Sequence, residues 1–198
     1  MNNAAANIEN YRTVFSPAVL RLLRALGTLT FALLLALSAR WRVPLPWSPV
    51  PVTGQTLVAL LFPALLGPLA GACGVVLYLL LGLAGLPFFA LGGGGIYLLG
   101  PTGGYLWGFL FAALIVGALV RRSSRLPAVV AAMILGEAVI LSLGAMQLKA
   151  VTGSGWGWVF AAGVAPFLPG DLIKLVLAAG LYRVLGPRAA RLGFPVGI

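Results

Sequence analysis

Asp171 and Lys174 stand where charge is costly. They fall in Pro166-Phe167-Leu168-Pro169-Gly170-Asp171-Leu172-Ile173-Lys174, inside a long apolar stretch, and Asp171 is the only aspartate in the chain. Residues at i and i+3 share one side of a helix. Each charge alone at bilayer depth costs about 2.5–3.5 kcal/mol on insertion scales. As a pair they neutralise each other while still offering acceptors and donors to a guest. Pro166, Pro169 and Gly170 interrupt the regular helix, and such backbone is tolerated at membrane depth where it is packed in protein or lines a cavity. The pattern fits a polar socket. It also fits a buried ion pair that only fastens two helices. Glu137, in the middle of another apolar stretch, is a second acid at depth. A packed protonated acid, a substrate contact and a proton carrier all fit it.

Other chemistry is excluded by what the chain lacks. It has no histidine, and Cys73 is its one cysteine. That rules out a catalytic or metal-binding histidine, a cysteine cluster and an internal disulfide. An intramembrane aspartyl protease needs a second aspartate. No Gly-Lys-Ser/Thr follows the glycines at the spacing of a phosphate loop, so no nucleotide site is expected. No metal or other cofactor is expected.

The elements that position these residues follow from composition. The 198 residues are 61% hydrophobic and 8% charged, with mean hydropathy +1.08, against about 25% charged in a soluble domain. This is an integral membrane protein, and at roughly 20 residues per span it has room for about six helices. The expectation is a tail over 1–15 and one six-helix membrane domain over 16–198. The spans fall near 17–39, 55–66, 70–85, 103–120, 127–148 and 156–185. The first opens with Ser16-Pro17, a cap and a first-turn proline, and carries Ala32-x-x-x-Ala36, a small-residue spacing that lets another helix approach. Between the first two spans, Pro44, Pro46, Pro49 and Pro51 forbid a helix. This stiff apolar segment, with Trp41 and Trp47 suited to the interface, reads as a lid over the site or as an aromatic-anchored connector. Glycines from Gly92 to Gly104 allow close backbone approach, and Tyr97 and Tyr105 are placed to offer aromatic surface. Gln55, at the mouth of the second span, could add a polar contact.

The net charge of +10 does not imply nucleic acid, because the basic residues sit at helix ends. Arg12, Arg21, Arg24, Arg121, Arg122, Arg125, Arg183, Arg188 and Arg191 fall on one side of a six-span topology, and Arg40, Arg42 and Lys149 on the other. The positive-inside rule then makes both termini cytoplasmic, with the lid outside. Polar groups that converge on one level argue against a channel, and the lack of an internal repeat argues against a self-contained transporter. Capture of a small solute from outside fits best. A proton-coupled secondary transporter using Glu137 or Asp171, and a purely structural subunit, remain open.

Several motifs, taken together, resemble a known family. They are Val43-Pro44-Leu45-Pro46, Pro49-Val50-Pro51-Val52-Thr53, Gln55-Thr56-Leu57, Leu79-Leu80-Leu81-Gly82-Leu83-Ala84-Gly85-Leu86-Pro87, Gly100-Pro101-Thr102-Gly103-Gly104-Tyr105 and Pro169-Gly170-Asp171-Leu172-Ile173-Lys174. From Val43 to Leu185 the chain resembles the biotin-binding S component (BioY family) of energy-coupling-factor vitamin transporters. The resemblance implies an all-α six-helix S component in a bacterial cell membrane, with biotin as ligand. It implies a transmembrane coupling protein and a pair of ATP-binding-cassette ATPases as partners. It maps the family's vitamin contacts onto Asp171 and Lys174 and its docking pair onto Ala32 and Ala36, and it makes the proline segment the lid. Tyr105, Gln55, Tyr97, Gly104 and Glu137 complete the expected substrate-binding set. The chain departs from the family on its fifth span, where Leu141 and Gln147 replace expected Tyr and Trp.

Overall fold

The computed structural model describes residues 16–194; the expected tail over 1–15, with Arg12, lies outside them. The chain runs α1 (Pro17–Ser38), β1 (Arg42–Leu45), β2 (Ser48–Thr53), α2 (Gln55–Leu66), α3 (Pro68–Leu83), α4 (Gly95–Leu99), α5 (Gly103–Arg122), α6 (Leu126–Thr152), α7 (Trp156–Gly163) and α8 (Leu168–Arg191). Ser16 caps α1, its Oγ accepting the Val19 N–H at 3.4 Å, with Pro17 in the first turn.

α1, α5 and α6 are each long and apolar enough to cross a membrane, and α7 with α8, bent by 47° at their break, is long and apolar enough when taken as one broken span. α2 and α3, with 12 and 16 residues, reach only about 18 and 24 Å at 1.5 Å per residue, short of a hydrocarbon core of about 30 Å. The six expected helical segments are present, but two of them are shorter than full spans. Gly67, at φ 84°, turns the chain between these two, and a left-handed φ is one that glycine adopts without strain.

The core joins every segment: Phe31 and Leu35 from α1, Leu60 from α2, Val75 and Tyr78 from α3, Val116 from α5, Met133, Ile140 and Leu148 from α6 are all fully buried. Outward faces are apolar too. Leu22, Leu26, Leu29, Leu33 and Leu37 of α1, and Leu172, Ile173, Val176 and Leu177 of α8, are exposed, as suits side chains that face lipid rather than water.

The proline segment is extended and folds back on itself. β1 and β2 pair antiparallel, with Arg42 opposite Thr53 and Val43 opposite Val52, and the register shifts between Val43 and Leu45. Pro44 stands at that shift, and a proline has no N–H to give to the ladder. Val50 is buried, β2 packs against α7, and the Arg40 and Arg42 guanidinium groups donate to the carbonyls of Pro87 and Ala90. The hairpin is therefore fastened across the bundle mouth.

Two helix ends differ from expectation. α6 continues one turn past Leu148 and stops at Gly153, φ 67°. α8 runs through Gly186-Pro187 to Arg191. Pro187 removes one backbone donor, and nearby the Arg188 guanidinium donates to the Val184 carbonyl at 2.8 Å.

Candidate functional site

A cavity opens under the hairpin, with about 490 Å³ of atom-free space counted out through its mouth. Val50, Pro51 and Thr53 form its roof, Gln55 and Thr56 come from α2, and Ala90, Tyr97 and Thr102 from the connecting segment. Tyr105, Leu106 and Phe109 of α5, Ile140 and Leu141 of α6, and Phe167, Asp171 and Lys174 at the broken span complete the wall.

The break sets the polar level. α7 ends at Gly163 and α8 begins at Leu168, so carbonyls near Gly163 lose helical partners. Tyr105 donates its hydroxyl to the Gly163 carbonyl at 2.6 Å, which ties α5 to the break. There is room for this because neither Gly144 nor Gly163 has a side chain: a Cβ on Gly163 would stand 2.7 Å from that hydroxyl. The Tyr105 ring then faces Phe167 at 5.7 Å.

Asp171 and Lys174 sit in the first two turns of α8. Lys174 Nζ lies 2.8 Å from Asp171 Oδ1, with side-chain exposures of 15% and 4%. Thr56 Oγ1 donates to the same oxygen at 3.0 Å. Two donors occupy Oδ1, while Oδ2 is buried with no hydrogen-bond partner among the described residues. Lys174 has three N–H donors and spends one on Asp171. The carboxylate and the ammonium thus stand side by side in the cavity wall.

Tyr97 lines the cavity and stacks on Phe89, ring centres 4.9 Å apart. Burial, the largest influence on its phenol, raises its pKa from the ordinary value. Gln55 also lines the cavity, but its amide donors are spent on Tyr78 Oη at 2.8 Å and the Leu35 carbonyl at 3.3 Å. It braces α1, α2 and α3 under the roof and leaves only its carbonyl side towards Thr53.

Three expectations need correction. Gly104 does not line the cavity: it is buried, and a Cβ there would lie 2.7 Å from Gln147 Cβ, so its smallness serves the close contact of α5 with α6. Glu137 is buried at 8% exposure and does not line the cavity either. It lies one turn from Leu141, which lines the cavity with Asp171. Ala32 is fully buried and Ala36 half-buried against the core, because α1 turns this side towards α3, where Phe31 packs over Gly74. Ala32 offers no surface for docking.

Thr56, Thr102, Phe109 and Phe167 line the cavity but were not among the expected site residues, although all but Phe109 fall within the motifs. Thr56 carried a signal, a hydroxyl beside Gln55 at a helix start, yet its partner lies 115 residues away. Leu141 joins the wall as an aliphatic surface. Gln147 donates to the carbonyls of Leu98 and Gly100, both at 2.8 Å, and so pins the connecting segment to α6.

Known proteins share both sequence and architecture with this chain. The BioY family model matches residues 13–191. The Biotin transporter BioY of Rhizobium etli is 37% identical over 181 residues, 86% of this chain and 94% of that protein. The Biotin transporter BioY of Thermotoga maritima is 38% identical over 138 residues, 69% of this chain and 81% of that protein. A crystal structure of the S-component for biotin from an ECF-type ABC transporter superposes with a TM-score of 0.80 at 24% identity, covering 87% of this chain and 94% of that one. The fold is that of an S component, and the chain is a multi-pass membrane protein that belongs to the BioY family.

Proposed function

We propose that this protein is the biotin-binding membrane subunit of an energy-coupling-factor transporter, taking biotin from outside and delivering it across the membrane with ATP hydrolysis supplied by partners. One observation carries the proposal: the Asp171–Lys174 ion pair lines a roofed cavity, in a chain whose relatives are biotin transporters. A ureido ring presents two N–H donors and one carbonyl. The Asp171 carboxylate accepts an N–H, and a remaining Lys174 donor reaches the carbonyl or the vitamin's carboxylate, both as charge-assisted bonds. The thiophane ring and valeryl chain lie against Tyr97, Tyr105 and Phe109.

The unequal share of basic residues supports cytoplasmic termini and an outward-facing hairpin. The lack of a phosphate-loop sequence supports assigning ATP use to a pair of ATP-binding-cassette ATPases, joined through a membrane coupling protein. With Ala32 enclosed, docking falls to the part of α1 around Ala36.

Radiolabelled biotin binding to the purified protein tests the site. Wild type binds, and Asp171→Ala weakens binding by about a hundredfold or more, the usual scale for truncating a buried, hydrogen-bonded charge. Unchanged affinity in the variant removes the assignment. Ala36→Trp should keep binding and lose ATP-driven uptake in the reconstituted complex.

A further inference from the structure

Glu137 is the buried acid that the binding scheme leaves unused. Neither of its carboxyl oxygens, nor Asp171 Oδ2, has a hydrogen-bond partner among the described residues. Yet Glu137 lies one turn before Ile140 and Leu141, which line the same cavity as Asp171 and Lys174, on a helix that packs against α8. Two ionised carboxyls can only accept, so they cannot bond to each other. Facing one ammonium, they would also leave an uncompensated negative charge in the bundle, where like charges at a shared site disfavour double ionisation. A single proton removes both difficulties.

We infer that Glu137 carries a proton and donates it to the buried Asp171 Oδ2, as a positioning residue that holds the carboxylate in place at the cavity wall. The three side chains then carry one negative and one positive charge, and an anionic vitamin enters a neutral pocket. Oδ1 is already held by Thr56 and Lys174, so the Glu137 bond fixes the remaining freedom of the carboxylate. The groups around Glu137 are accounted for by element. α8 brings Asp171 and Lys174, and α5 brings Tyr105, which faces Asp171. α2 and α7 carry no ionisable side chain.

The functional consequence rests on the biotin reading above, whereas the proton does not. Biotin affinity is measured from neutral to alkaline pH for wild type, Glu137→Gln and Glu137→Leu. Loss of the proton sets two carboxylates against each other, so wild-type affinity falls as pH rises. The amide of Glu137→Gln donates to Asp171 Oδ2 without a proton to lose. It retains near wild-type affinity at neutral pH and lacks this alkaline fall. Glu137→Leu leaves the acceptor unpaired and binds about tenfold more weakly. Infrared spectra of the purified protein without biotin give an independent readout: the Glu137→Gln difference spectrum loses a carboxylic C=O stretch. The inference is overturned if Gln and Leu weaken binding equally, if the pH profiles of wild type and Glu137→Gln coincide, or if no carboxylic band is lost. A wild type that fails to bind biotin sinks the functional reading alone, since the infrared result still decides the proton.

Discussion

The ion pair can be separated into what it does for the fold and what it does for the ligand. Lys174→Met keeps the length and apolar stem of the side chain but removes its charge. Asp171 then remains at 4% side-chain exposure without its cation. Removing one partner of a buried pair costs about 3–5 kcal/mol, whereas replacing both by apolar groups is often neutral or stabilising. Lys174 keeps 15% exposure, which puts the expected loss at the lower end, about 3 kcal/mol. Lys174→Met combined with Asp171→Leu should recover most of that. A thermodynamic cycle built from thermal unfolding in detergent, with wild type, both single variants and the double, reads the coupling. The expected coupling energy is about 2 kcal/mol or more, with biotin binding lost in the double variant despite its recovered stability. Additive effects would refute the reasoning that these side chains are held as a buried pair. Retained biotin binding in the double variant would refute their role in recognition.

Other outcomes follow from single contacts. Tyr105→Phe removes the 2.6 Å bond to the Gly163 carbonyl and should lower stability by about 1–2 kcal/mol, with a smaller change in biotin affinity, as measured by unfolding and equilibrium binding. Gln147→Leu frees the Leu98 and Gly100 carbonyls, so biotin dissociation should quicken in stopped-flow or filter assays. Arg42→Gln weakens the hold on the Ala90 carbonyl and should raise association and dissociation rates together, leaving the equilibrium constant closer to wild type than either rate. Gly104→Leu forces a side chain into the backbone of α6 and should abolish folded, monodisperse protein on size exclusion.

Much of this was legible because membrane helices announce themselves by composition and their ends by proline and glycine. α2 was read at its observed bounds, since Gly54 and Gly67 flank a run that is apolar from Leu57 to Leu66. The facing of Asp171 and Lys174 followed from helical spacing alone. What escaped was long-range. Four prolines said that residues 44–51 are extended, but not that they pair as a hairpin, because pairing depends on a partner register and on the Arg40 and Arg42 contacts. An Ala-x-x-x-Ala spacing places two small residues on one face of α1. Only packing against Gly74 decides that the face turns inward. Gly104 was read as a ligand approach for the same reason: a missing side chain says that something comes close, not what. Glu137 was visible as an anomaly, but its relation to Asp171 crosses two helices and has no trace in local spacing.

The roof is secured by guanidinium groups that grip main-chain oxygens at Pro87 and Ala90. Any residue supplies such an oxygen, so this clasp is indifferent to which side chains occupy the strap beneath it. Substitutions at the exposed Leu86 and Leu91 can therefore accumulate without undoing closure, provided the path of the backbone is kept, whereas Phe89 is fixed by its packing on Tyr78 and Tyr97.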